Sequence, residues 1–215
     1  MIFVNAGHAT TANALTWTLY HLAVNPEWAT AARNEVLTVV GPTRVPTYDE
    51  IANMPIVAAV INESMRLLPA VPGTGRIATR DVILRRKNSA VSGRTGSDEL
   101  HIKAGTVVGY LFAAAQRDPA LWEHAEEFNP RRFMGGIASA LSHPLAYAPF
   151  GAGSRNCIGQ HFALLEARLI LATLLQRSEW ELAPSYVHAP MQLITMSPKH
   201  GMPMRLRRRT EATTC

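Results

Sequence analysis

The sequence predicts a mainly α-helical protein with small β-sheets, an α+β chain. Three observations predict it. The first third is apolar at helical spacing, broken by prolines. Segments rich in β-branched residues and glycine turns follow Pro72. A glycine-rich loop then feeds a strongly periodic apolar run, Ile158 to Leu175, with Phe162, Leu165, Leu169 and Ala172 at helical spacing.

In order along the chain, Asn5 to Val24 reads as one long helix, stopped at Asn25-Pro26. Glu27 to Val40 reads as a second, ended by Gly41-Pro42. Thr47-Tyr48-Asp49-Glu50 carries an N-cap residue and an acidic first turn. Pro55 to Leu68 reads as the next helix, closed by Pro69 and Pro72. Strands are expected within Gly73–Leu84 and Leu100–Leu111, separated by an exposed polar loop, Arg85 to Asp98. Ala120 to Phe133 reads as a short helix and an irregular stretch, and Gly135 to Pro149 as mostly loop. Trp180 to Leu206 reads as short strands and turns. No internal repeat and no domain boundary interrupts residues 1–215.

The chain has 215 residues, 47% of them hydrophobic and 17% charged, which excludes a disordered chain and allows a sizeable core. The net charge is +5, and no long basic tract dominates, so no nucleic-acid partner is expected. Two cysteines, Cys157 and Cys215, make no disulfide framework, so a reducing compartment is expected. Residues Met1 to Val24 are apolar, but Asn5, His8, Thr10, Thr11, Asn13, Thr16 and Thr18 interrupt the run that a membrane span needs. The segment reads as a buried helix entered in mid-stride. The expectation is a carboxy-terminal piece of a longer chain.

Chemistry concentrates at Phe150-Gly151-Ala152-Gly153-Ser154-Arg155-Asn156-Cys157-Ile158-Gly159. Gly151, Gly153 and Gly159 permit tight turns and let a flat ligand approach the backbone. The helix that follows favours a thiolate through its dipole and free N–H groups. Arg155 can neutralise an anionic group. A lone cysteine beside a glycine turn is more often a packing residue; the full pattern sets this one apart. It resembles, at every defining position, the haem-binding signature of the cytochrome P450 superfamily.

Other motifs carry the same resemblance in the same order. Glu63-Ser64-Met65-Arg66 is similar to the family's Glu-x-x-Arg pair, three apart on one helix face. Phe128-Asn129-Pro130-Arg131-Arg132-Phe133 resembles the region that supplies the pair's third member, here Arg132, with Arg131 in place of the usual glutamate. Ala6-Gly7-His8-Ala9-Thr10-Thr11 resembles the oxygen-binding segment. There Gly7 leaves room over the haem and Thr10 assists proton delivery, while Ala9 stands where an acid is usual. For Thr10 the plainer alternative is a packing residue back-bonded to the preceding turn, and for His8 a packed or solvent-facing side chain. Arg76 occupies a place where the family often puts a haem-propionate partner; an ordinary exposed arginine is the alternative. Gln116-Arg117-Asp118-Pro119 resembles a structural turn near the same core. Phe162 to Arg168, Glu181 to Pro190 and Pro198 to Gly201 look like the plant clan that includes cytokinin hydroxylases and terpenoid-oxidising enzymes.

The resemblance implies the carboxy-terminal half of a cytochrome P450 fold, with residues 1–215 a partial catalytic domain. It implies haem b with Cys157 as axial thiolate ligand and metal ligand. Phe150, Gly151, Gly153, Gly159, Gly7, Arg155 and Arg76 would lie around the haem, Thr10 would be catalytic, and Glu63, Arg66 and Arg132 structural. The implied reaction inserts one oxygen atom of dioxygen into a lipophilic small molecule, with electrons from NADPH through a flavoprotein reductase. An amino-terminal anchor in the parent would hold it on the cytosolic face of the endoplasmic reticulum membrane. Two rival expectations stand beside it. One is a non-catalytic truncated fragment or degenerate paralogue that retains no haem. The other is a basic binding module that uses Arg205 to Arg209 on an acidic surface.

Overall fold

The computed structural model describes residues 2–85 and 99–209. Arg86, Lys87, the expected loop through Asp98 and the Cys215 tail lie outside the described residues. Six α-helices, α1 (Ile2–Val24), α2 (Pro26–Val39), α3 (Tyr48–Ala52), α4 (Pro55–Leu67), α5 (Phe112–Ala115) and α6 (Gln160–Arg177), are described. So are eight strands: β1 (Thr74–Ile77), β2 (Val82–Arg85), β3 (Glu99–Ile102), β4 (Val107–Tyr110), β5 (Ser178–Leu182), β6 (Pro190–Gln192), β7 (Met196–Pro198) and β8 (Met204–Arg208).

The helices form the core. Leu15, Leu22, Val36, Met54, Val57, Val60, Ile61, Leu171 and Leu175 bury together where α1, α2, α4 and α6 meet. Local chemistry sets the helix starts. Pro26 and Pro55 open α2 and α4, where a missing N–H costs nothing. Thr47 and Glu50 form the capping box of α3: Glu50 N donates to Thr47 Oγ1, and Thr47 N to Glu50 Oε2. α4 has no side-chain cap of its own. Instead Glu35 of α2 accepts from Ile56 N and Val57 N, both at 2.8 Å. Burial raises the Glu35 pKa while those two amides oppose the rise.

The strands pair antiparallel in twos, β1 with β4, β2 with β3, β5 with β8 and β6 with β7. Gly73 enters β1 so close to β4 that an added Cβ would stand 2.5 Å from the Tyr110 carbonyl oxygen. The last strands are tied back to the first helix. Trp17 Nε1 donates to Met196 O at 2.9 Å, Asn13 Nδ2 to Thr195 Oγ1 at 3.0 Å, and Trp180 Nε1 to Leu19 O at 3.1 Å. Across the β5–β8 pair, Arg205 and Arg207 face Glu181 and Arg209 faces Glu179, so acidic side chains already answer part of that basic cluster. Among the described residues no helix is long and apolar enough to cross a membrane.

The expected helix within Ala120–Phe133 is absent. Turns fill most of that stretch, with a 3-10 turn at Pro130–Phe133, and the short helix is α5 instead. The reason is a buried ion pair. Glu63 and Arg66 on α4 are both fully buried. Arg66 Nε and Nη2 grip Glu63 Oε2 and Oε1 at 2.7 and 2.9 Å. Its remaining N–H groups donate to the carbonyls of Gln116, Ala125 and Glu127. All five donors of the guanidinium are thereby satisfied. An α-helix through the expected stretch to Phe133 would consume the Ala125 and Glu127 carbonyls internally. The chain turns them inward instead, and His124 takes a positive φ of 47° on the way. Arg132 completes the set: its Nε lies 3.4 Å from Glu63 Oε1, and its Nη2 donates to His124 O at 3.0 Å.

Two predictions follow from burial. Removing one partner strands a charge, so Glu63→Gln should lower stability by about 3–5 kcal/mol, read as a shift of the urea midpoint. His21, stacked on Phe128 at 4.7 Å and bonded to Ser64 Oγ, is held neutral, its pKa pushed down to about 3, chiefly by burial. Between pH 6.5 and about pH 3 the unfolded chain binds a proton that the folded chain refuses. Stability should therefore fall with pH through that window, by at most about 1.4 kcal/mol per pH unit for this group. His21→Phe should flatten that slope in urea titrations at successive pH values.

Candidate functional site

The loop before α6 builds the site. Phe150 packs against the main core and anchors it. Gly151 and Gly153 follow at φ of +73° and +77°, a left-handed backbone that side-chain-bearing residues rarely adopt. A 3-10 turn spans Gly153–Arg155. Gly151 N donates to Ala148 O at 2.9 Å, and Cys157 N returns to Phe150 O at 2.8 Å, which closes the loop. Gly159 then caps α6. The Cys157 thiol is free and exposed.

Cys157 opens onto a cavity of about 1190 Å³. Parts of the chain more than a hundred residues apart share its wall. Gly7, Thr10 and Thr11 come from α1, Arg76 from β1, Tyr110 and Leu111 from β4 and the residue after it, and Phe150 to Arg155 and Cys157 to Gly159 from the loop. An added Cβ at Gly7 would meet no atom within 4 Å, so the bare backbone there borders open space. The wall is apolar and much of it is accessible: Ile158 is 86% exposed, Phe162 70% and Leu111 61%. Large contiguous apolar surface of this kind marks a ligand-binding groove. Phe162, one of the periodic apolar residues of α6, belongs to this accessible wall. It faces the cavity side of α6, and Ala167, Leu171, Ala172 and Leu175 carry the buried face.

Polar groups punctuate this wall. Arg155 and Arg76 both line the cavity and are exposed, and among the described residues neither is paired with a carboxylate. Arg76 Nη1 bonds its own strand, to Gly75 O at 2.9 Å and Thr74 Oγ1 at 3.3 Å. Thr10 donates its hydroxyl to Ala6 O at 2.7 Å, the back-bonded state named above as the plainer alternative, while still lining the cavity. Its neighbour Thr11 is buried, and its Oγ1 has no hydrogen-bond partner. His8 and Ala9 are exposed and outside the cavity lining.

The structure thus brings Cys157, Arg155, Arg76, Phe150, Gly151, Gly153, Gly159, Gly7 and Thr10 to one cavity. Glu63, Arg66 and Arg132 meet one another elsewhere, behind it. Sequence reasoning missed Tyr110, Leu111, Ile158 and Thr11 as wall residues. Ile158 had a signal, since it sits inside the ten-residue run; Leu111 had none short of the β1–β4 pairing.

Comparison with known proteins agrees with this architecture. The family model described as Cytochrome P450 matches residues 1–203. Cytochrome P450 734A1 of Arabidopsis thaliana is 41% identical over 209 residues, 97% of this chain and 38% of that protein. Echinocystic acid 23-monooxygenase of Saponaria officinalis is also 41% identical over 209 residues, again 97% and 38%. The crystal structure of the cytochrome P450DA heme domain superposes with a TM-score of 0.83 at 31% identity, covering 97% of this chain and 43% of that one. The chain spans little more than a third of the length of these curated relatives. The motif order, the mixed helical fold and these matches together establish that the chain belongs to the cytochrome P450 family.

Proposed function

We propose that residues 1–215 are part of a cytochrome P450 catalytic domain, a haem-thiolate monooxygenase that inserts one oxygen atom of dioxygen into a lipophilic small molecule. One observation carries the reading: an exposed cysteine, two arginines with no carboxylate partner among the described residues and a bare glycine backbone, distant in sequence, border one apolar cavity.

The residues present fit haem b. A planar apolar macrocycle would cover Ile158, Phe162 and Leu111, surface whose removal from water is favourable at about 25 cal/mol per Å². Its two propionates call for cations at the rim, and Arg155 and Arg76 are there. Its iron calls for a soft donor, and Cys157 would supply it. When bound, thiolate-ligated haem supplies the activation of dioxygen, because the sulfur donates electron density that favours O–O cleavage.

The chain's own groups do the rest. Gly151 and Gly153 keep the loop backbone free of side chains beside the ligand. The apolar wall excludes water. Gly7 leaves room on the α1 side. Thr10 Oγ1, its proton held on Ala6 O, keeps lone pairs that can accept a hydrogen bond from the cavity, and rotation of the hydroxyl away from Ala6 O would let it donate its own proton there. Ala9 offers no acid for this relay, so Thr10 acts without the usual neighbouring carboxylate. The relative named for echinocystic acid supports a monooxygenase acting on a lipophilic substrate. Electrons would come from NADPH through a flavoprotein reductase. The parent protein would sit on the cytosolic face of the endoplasmic reticulum, held by a membrane anchor outside residues 1–215.

Cys157→Ser should abolish the red-shifted Soret band that the haem-loaded, reduced protein gives with carbon monoxide; a spectrum unchanged by the substitution would exclude the ligand role. Thr10→Ala should leave that band intact and raise the share of consumed NADPH that appears as hydrogen peroxide, measured by peroxide assay against product formed.

A further inference from the structure

Residues 152–158 are exposed, so packing alone does not hold the cysteine loop. What fixes it is traceable bond by bond. Cys157 N donates to Phe150 O, and Gly151 N to Ala148 O. Ala148 N donates in turn to Gln116 Oε1 at 3.0 Å. Gln116 is fully buried. Its Nε2 donates to Met65 O at 2.9 Å and Arg66 O at 3.1 Å, the carbonyls at the end of α4. Its own backbone carbonyl accepts from Arg66 Nη1 at 2.8 Å. One side chain therefore spans from the helix that carries the buried ion pair to the segment that carries the thiol.

We infer that Gln116 is a positioning residue for Cys157, acting through Ala148 to set the loop against the end of α4. The inference rests on the ligand role proposed for Cys157. The amide is the chemistry this position requires. It must donate to two carbonyls and accept from one N–H at the same end of the side chain. A carboxylate keeps the acceptor and loses both donors. Methionine, of similar length, loses all three and leaves the carbonyls and the Ala148 N–H without partners.

Site-resolved amide hydrogen exchange on the 215-residue chain tests it. In the unsubstituted chain the Ala148 and Cys157 amides should share one protection factor within about threefold, because they open as one unit. In Gln116→Met both should lose about tenfold or more relative to the α6 interior amides Leu171 and Ala172. Gln116→Glu, which keeps the acceptor, should retain more of the Ala148 protection than Gln116→Met. Unchanged Cys157 protection in Gln116→Met, or loss shared equally by α6, would overturn the inference. If that variant does not fold, the unsubstituted chain decides it alone: separate opening of Ala148 and Cys157 overturns it.

Haem titration supplies the second readout. Gln116→Met should shift the reduced carbon monoxide complex away from the thiolate-type band. Cys157→Ser should lose that band while Ala148 stays protected, which separates the two claims. A band retained by Cys157→Ser overturns the ligand reading, and the positioning role with it, even where the exchange result holds.

Discussion

The buried contact between Glu63 and Arg66 is the constraint on which the rest of this structure depends. Two full charges sit out of water, and burying them is tolerable only because every donor of the guanidinium has an acceptor. That requirement reaches far along the chain. It turns the carbonyls of Gln116, Ala125 and Glu127 inward, and a helix through Ala125 and Glu127 would withdraw theirs. Glu63 Oε1 also takes the Asn129 amide at 2.8 Å, which fixes where the 3-10 turn at Pro130 begins. The pair thus shapes the backbone more than it stabilises it. A hydrophobic pair of similar volume would place no such demand on its surroundings.

The cavity obeys the opposite logic. Its wall is apolar and largely accessible, and its few polar groups stand apart from one another. Every donor of Arg66 is answered by the protein itself, and Arg132 Nε beside it meets Glu63 as an ion pair at 3.4 Å. Around Cys157, among the described residues, the two arginines have no carboxylate partner and the Thr11 hydroxyl has no hydrogen-bond partner. Satisfied polarity marks the structural centre and unsatisfied polarity the chemical one. The two lie on opposite sides of one short relay through Gln116 and Ala148.

Legibility in the sequence followed the range of the physics involved. Helices set by proline, capping residues and periodicity matched within a few residues, as at Pro26, Thr47 and Pro55. The cysteine loop was legible because its glycines meet a local backbone demand. The stretch from Ala120 was misread because its local preference is overruled by Arg66, a residue more than fifty positions earlier. Periodicity marked α6 as a helix without saying which apolar residues face the core, because α6 has apolar residues on both the core face and the cavity face. Tyr110 and Leu111 reach the cavity only through β1–β4 pairing, which no local pattern encodes.

The hydrogen bonds from Trp17, Asn13 and Trp180 bear on how the molecule comes to exist. During synthesis α1 leaves the ribosome before the strands that bind it, since Met196 and Thr195 follow about 180 residues later. At roughly 5–20 residues per second, the indole of Trp17 waits on the order of ten seconds or more for its acceptor. Over that interval the apolar first helix has no closing strand, and loop closure across such a span is entropically unfavourable and slow. Nascent chains should therefore depend on chaperones for longer than their helical content implies. A premature stop upstream of Thr195 would leave Trp17 and Asn13 of α1 without their acceptors.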